Sequence, residues 1–209
     1  MAENFHKPTQ YSTDKFDTFE GGQDPAQIMR AAYDTAHALI EGARATEDPA
    51  VLDRIVAYTD EHGIDALAEL WSRSSAGSLP GALWRIYLLR AVIQQDAVGT
   101  SLLFRRGIDT LATIDAAVTG AVNPTGPNEI TDLADQILRG LFRGDFGVAL
   151  DRAASFSRIL ASGAGSIADD QELLNPERAS ELTIRAARYS LTAEEFVTCS
   201  RLFRAGTLD

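Results

Sequence analysis

The chain has 209 residues, 45% hydrophobic and 23% charged, the proportions of a soluble globular protein long enough to bury a real core. A net charge of −11 argues against general affinity for nucleic acid. No run approaches the roughly 18 apolar residues a membrane span needs, and Met1–Thr13 lacks the apolar core of a signal peptide. The single cysteine, Cys199, excludes an internal disulfide and a multi-cysteine zinc site, so the cytoplasm is the expected compartment.

Residues 1–23 show no periodicity but carry Phe5, Tyr11, Phe16 and Phe19, more aromatics than a polar tail usually holds. They are expected to form an arm packed on the domain or on a partner subunit, ahead of a single helical domain over 24–209. Asp24-Pro25 is a cap followed by a first-turn proline, opening a helix to about Ala43 with Ile28, Ala32, Ala36, Leu39 and Ile40 inward. Asp48-Pro49 repeats the device until Gly63 stops the helix, and Ile64–Trp71 predicts a short one. Ser78 then caps a helix from Pro80 to Gln95. Leu79, Leu83, Ile86, Tyr87 and Ala91 recur at helical steps, and Leu88 and Val92 widen the stripe. A helix apolar round most of its circumference is one that neighbours surround, so this segment is read as the central helix.

Asp96 caps a helix ending near Arg106-Gly107, and an alanine-rich one is expected over Ile108–Thr119. Asn123-Pro124 and Gly126-Pro127 form the clearest breaker cluster. Pro127 starts a helix through Ile130, Leu133, Ile137, Leu138 and Leu141, and Gly144-Asp145 breaks and recaps the chain for Phe146–Ala161. Gly163–Gly165 reads as a flexible link, Ile167–Leu174 as a short acidic turn or helix, and Asn175-Pro176 as the cap of Glu177–Tyr189. Thr192-Ala193-Glu194-Glu195 is a capping box for a final helix with Phe196, Val197, Leu202 and Phe203. No stretch alternates like a strand. The fold class is all-α without a sheet, a multi-helix orthogonal bundle or short helical-hairpin stack of about eight to ten helices. The stack draws on a faint echo: Leu88-Leu89-Arg90 precedes Asp96 as Ile137-Leu138-Arg139 precedes Asp145.

The charge is banded. Asp24–Leu70 carries −7, Trp71–Arg106 carries +4, and Gly107–Leu138 carries −5. Acidic helix starts and basic helix ends explain such bands through the helix dipole, and a face for an anionic ligand or acidic partner is the lesser alternative for the basic one. Of the 19 basic residues 17 are arginine, which fits GC-rich coding.

Among candidate sites, Asp34, His37 and Glu41 share a helix face and could converge on a metal. The pattern lacks the repeated Glu-x-x-His pairs of di-iron bundles, so a solvated charged face accounts for it better. Gly163-Ala164-Gly165-Ser166 resembles a phosphate-loop fragment but follows a helix and has no lysine. Cys199 has Arg201 and Arg204 near it in sequence but no histidine, which suits packing better than a reactive thiol. Trp71, Trp84, Arg85, Tyr87 and Arg90 form the most suggestive group. The two tryptophans flank one turn, and aromatic rings with arginine line pockets, partner surfaces and ordinary core edges alike.

The run Leu79-Pro80-Gly81-Ala82-Leu83-Trp84-Arg85-Ile86-Tyr87-Leu88-Leu89-Arg90 resembles an LPGALWRxYxLR-type signature in a family of uncharacterised all-helical proteins from actinobacteria. The resemblance extends loosely from Gly63 to about Ala168 and includes Pro124-Thr125-Gly126-Pro127 and Gly144-Asp145-Phe146. It implies a helical fold and no particular activity. With caps and packing signals throughout and no catalytic motif, the expectation is a non-enzymatic cytoplasmic protein acting through protein–protein contact, as a homodimer or with another chain. The alternative is a binding module for a small anionic ligand at the tryptophan–arginine face. A metal-dependent hydrolase using Asp34, His37 and Glu41, or Asp169, Asp170 and Glu172, ranks last. No cofactor, nucleic-acid partner or membrane partner is implied.

Overall fold

The computed structural model describes residues 24–45, 70–121, 125–143 and 145–209, and these are mostly helical, with no strand among them. Among the described residues seven helices appear in this order: α1 Pro25–Ala45, α2 Leu79–Gln95, α3 Ala97–Thr110, α4 Asp115–Thr119, α5 Pro127–Arg143, α6 Phe146–Gln171 and α7 Pro176–Arg204. The arm, the helix opened by Asp48-Pro49 and most of the Ile64–Trp71 helix lie outside the described residues. The other reductions from the expected eight to ten are mergers, and each has a local cause.

The caps sit where the sequence places them. Ser78 Oγ accepts the Gly81 N–H at 3.2 Å, Asp96 Oδ1 that of Gly99 at 2.8 Å, Asp145 Oδ1 that of Val148 at 3.1 Å, and Asn175 Oδ1 that of Arg178 at 3.1 Å. Each satisfies an N–H that the first helical turn leaves without a partner. Asp96 and Asp145 hold equivalent places in the α2–α3 and α5–α6 pairs, so the echo corresponds to two Asp-capped junctions.

Gly163–Gly165 is no link: α6 runs through it without a break. A Cβ built on Gly163 would lie 1.8 Å from the Leu103 carbonyl oxygen of α3, and one on Gly107 would lie 2.0 Å from the Ile159 oxygen of α6. The two glycines let the backbones of α3 and α6 cross at close range, and packing on both sides holds the helix through residues that favour a break. Likewise α7 continues past Thr192, whose hydroxyl donates to the Arg188 carbonyl at 2.9 Å instead of capping a new helix. The buried stripe Leu182, Tyr189, Ala193, Phe196 and Cys199 keeps one face of α7 seated on its neighbours across that point.

The expected Ile108–Thr119 helix divides instead. α3 takes its first residues up to Thr110, Leu111 turns extended, and only Asp115–Thr119 is helical again. Thr113 Oγ1 donates to Asp115 Oδ2 at 2.7 Å, and Asp115 also receives Arg158 Nε at 2.9 Å, so local side-chain bonding outweighs alanine's helix preference.

The hub is α6, not α2. Among the described residues α6 packs on α7, α3, α4 and α5, while α2 rests mainly on α5, α1 and α7. Fourteen residues of α6 are buried, and nine of these are Gly, Ala or Ser, small enough to let several helices approach at once. α2 is nevertheless buried along most of its length, from Leu79 to Tyr87 with Trp84 and Arg85 half-buried, and at Leu89, Arg90 and Ile93. Main-chain closure helps: the Leu79 N–H donates to the Asp209 carbonyl oxygen at 2.8 Å, bringing the last residue to the start of α2.

Arginine–carboxylate pairs tie the helices across their polar seams. Arg90 Nε meets Asp135 Oδ1 at 2.6 Å (α2–α5), Arg106 Nη2 meets Asp170 Oδ2 at 2.6 Å (α3–α6), and Arg158 meets Asp115 (α6–α4). Arg85 pairs with Glu195 (α2–α7) and Arg204 with Asp151 (α7–α6). The arginine excess therefore has a structural use beyond codon bias, because a planar guanidinium can bridge two helices with parallel bonds.

Candidate functional site

The five residues of the tryptophan–arginine group do not form one site. Trp71 is 1% exposed and belongs to the core; its ring lies 6.1 Å from that of Tyr87, and its Nε1–H donates to Thr35 Oγ1 of α1 at 3.2 Å. Tyr87 is also buried, and its hydroxyl has no hydrogen-bond partner among the described residues. Burial pushes that phenol up to about 12, against the opposing pull of Arg90. Arg90 is buried and bonded to Asp135 and to Gln94 Oε1 at 3.2 Å. Trp84 is half-buried against the core. Of the five, Arg85 lines the cleft between α2 and α7, and Trp84 does not.

That cleft has a volume of about 560 Å³ and lies between α2 and α7. Arg85, Leu88, Leu89 and Val92 line it from α2 at steps of three, one and three residues, a single face of a helix. From α7 come Leu182, Ile184 and Tyr189, with Arg178, Glu181, Arg185, Arg188 and Thr192 beside them. Leu89, Leu182 and Tyr189 are buried beneath, while Leu88 at 43% and Ile184 at 54% stand open to solvent. The result is an apolar trough edged by four arginines and a single glutamate.

The four guanidiniums are held differently. Arg85 Nη2 donates to Glu195 Oε1 at 3.3 Å and Nη1 to the Gly81 carbonyl at 3.1 Å, so it is committed to the fold. Arg185 Nε donates to Tyr189 Oη at 3.0 Å, its guanidinium carbon lies 5.5 Å from the centre of that ring, and Asp96 is 3.9 Å away. It is positioned without being closely neutralised. Arg178 has an exposed bond to Glu181 at 3.0 Å, three residues on in the same helix. Arg188 has no side-chain partner among the described residues.

A second cleft of about 570 Å³ includes Leu111, Arg158, Glu194, Val197, Thr198 and Arg201. Its Arg158 is already bonded to Asp115, and Glu194 offsets Arg201, so it offers no comparable charge.

The other sequence candidates fall away from any centre. Asp34, His37 and Glu41 are all exposed on α1, and among the described residues no three His, Cys, Asp or Glu side chains gather as metal ligands. The same holds for Asp169, Asp170 and Glu172, exposed at the end of α6, where Asp170 pairs with Arg106. Ser166, the end of the phosphate-loop lookalike, accepts from Arg106 Nε at 2.9 Å. Cys199 is fully buried, and its Sγ–H donates to the Ala76 carbonyl at 3.0 Å, fastening α7 to the turn before α2. Burial, with Glu195 adding to it and Arg85 opposing, pushes the thiol up to about 11, far from a nucleophile's range.

The α7 face of the trough was not singled out from the sequence, although Arg178, Arg185 and Arg188 recur at helical spacing. Reading α7 as two helices hid the continuous face, and nothing local announces that α2 lies beside it. No helix among the described residues is long and apolar enough to cross a membrane. In comparisons with known proteins, no family model matches the chain, and neither the curated proteins nor the solved structures yield a match.

Proposed function

We propose that this chain is a non-enzymatic interaction module of the cytoplasm and that the α2–α7 trough is the surface through which it binds another protein. The observation that carries the reading is the pair of open aliphatic side chains, Leu88 and Ile184, set in a cleft whose edge is arginine. Interface cores are built from such apolar centres with arginine enriched around them. A second copy of the chain is one eligible partner, and membership of the actinobacterial helical family suggested by the Leu79–Arg90 run belongs to the same proposal.

The test places a photo-crosslinking amino acid at position 184 of the full chain in living cells. A discrete protein adduct that disappears with Leu88→Asp is the expected result. No adduct, or one unaffected by Leu88→Asp, removes the trough from consideration.

A second reading has its own support. The cleft volume of about 560 Å³ is that of a small-molecule site, and its four arginines suit an amphipathic anion. Native mass spectrometry of the purified chain distinguishes the two, since a retained small ligand adds a fixed mass that Ile184→Asp should remove.

A further inference from the structure

We propose that the occupant of the trough is an amphipathic α-helix of a partner protein, about four turns long, carrying carboxylates on the flank of its aliphatic stripe that faces α7. This rests on the trough being the docking surface and adds the chemistry of what docks.

The shape argument comes first. On α7 the lining positions 178, 181, 182, 185, 188, 189 and 192 step by three and four residues along one face. At 1.5 Å per residue they span about 21 Å, the length of roughly 14 helical residues. On α2 the positions 85, 88, 89 and 92 do the same over about two turns. A trough between two helices presents two ridged walls, and the element whose own ridges seat there is a third helix. An extended peptide gains its affinity by adding to a sheet edge, and the described residues offer no sheet.

Charge decides the composition of that helix. The cleft sets four arginines against the lone Glu181, on a chain whose net charge is −11. The surface is thus locally inverted in sign, which steers an acidic segment toward it and turns a basic one away. Arg85 is neutralised by Glu195 and Arg185 has Asp96 at 3.9 Å, so the surplus lies with the arginines of α7. Arg188 has no partner among the described residues, and Arg178 has only the exposed Glu181 bond, a kind of pair worth little in water. Arg185, held by Tyr189, keeps its guanidinium at the edge in a set position, so little ordering is needed when a carboxylate arrives. Leu88 and Ile184 supply the contacts for the aliphatic stripe. A nucleic acid fits poorly, because the chain carries −11 overall and the lining includes the exposed aliphatic side chains Leu88 and Ile184.

The experiment selects binders to the full-length chain from a displayed library of 16-residue amphipathic helices. The aliphatic stripe is fixed and the flanking positions vary among Asp, Glu, Lys, Arg, Gln and Ser. The expected outcome is enrichment of Asp and Glu on one flank of the stripe. The selected peptide should lose about tenfold in affinity to Arg188→Glu and as much to Ile184→Asp, and weaken as salt is raised. Arg188 is exposed and its side chain has no partner among the described residues, so its reversal leaves the fold intact, checked by an unchanged circular dichroism melt. Enrichment of basic residues, no acidic enrichment on either flank, no binders at all, or equal affinity for Arg188→Glu overturns the proposal. If position 184 still crosslinks a protein in cells while acidic helices are not selected, the docking surface stands and only its acidic occupant is wrong. If both fail, the docking reading goes too.

Discussion

Asp115 shows how much of this protein's stability is held by single charged side chains in half-dry places. Burial alone would raise its carboxyl pKa, but bonds from Arg158, Thr113 and Ser155 together outweigh that and hold it below the ordinary 3.8. A carboxylate depressed in the folded state contributes stability that is complete above 3.8 and disappears as pH falls through the folded value. Asp115→Asn should therefore cost about 2 kcal/mol near neutral pH, as lost bonds to a charged group do. In urea titrations at a series of pH values, the gap between the parent and this variant should close below 3.8. A gap that stays constant into acid would mean the bond network, not the ionisation, is the source. Asp151 behaves alike: burial raises it, and Arg204 with Ser200 more than compensates.

At the scale of the element, glycine is the informative residue. Gly163 and Gly165 lie two residues apart in α6, and a sequence reading treats both as links. Gly163 faces the α3 backbone with no room for a methyl group, whereas Gly165 has nothing within 4 Å of where a Cβ would sit. Gly163→Ala should destabilise by at least about 2 kcal/mol, because backbone must move. Gly165→Ala should stabilise by about 0.5–1 kcal/mol, since alanine costs less conformational entropy in a helix. Thermal melts of the two variants shifting in the same direction would contradict the close α3–α6 crossing. The same crossing explains why α6 runs through a segment whose composition favours a break: propensity differences of about 1 kcal/mol per glycine are smaller than what an interhelix contact of this length contributes.

For the whole molecule, stability and the proposed binding surface are separable. The core centres on α6, and interhelix arginine pairs close its seams. The trough has the core residues Leu89, Leu182 and Tyr189 beneath it, whereas Leu88 and Ile184 contribute little to that core because solvent still reaches them. Leu88→Asp and Ile184→Asp should each leave folding stability within about 0.5 kcal/mol of the parent, as exposed substitutions do, measured by chemical denaturation. A large loss from either would show that these side chains support the fold, and the trough would lose its claim to be kept open for a partner.

How the chain divides into legible and illegible parts follows from the range of the forces. The all-α class, the four caps at Ser78, Asp96, Asp145 and Asn175, and the buried faces of α2 and α5 were readable because each depends on residues within a turn or two. Hub and trough were not. Which helix becomes the centre depends on how closely backbones approach, and Gly107 and Gly163 acquire that meaning only when α3 and α6 face each other. Trp71 and Tyr87 look like a binding pair along the chain, yet Trp71 also meets Thr35 of α1, and the two rings lie in the core. Arg85 and Arg185 come to one cleft from positions a hundred residues apart in sequence. Periodicity specifies which face of a helix is apolar; only the packing of the other helices decides how much of that face is left uncovered.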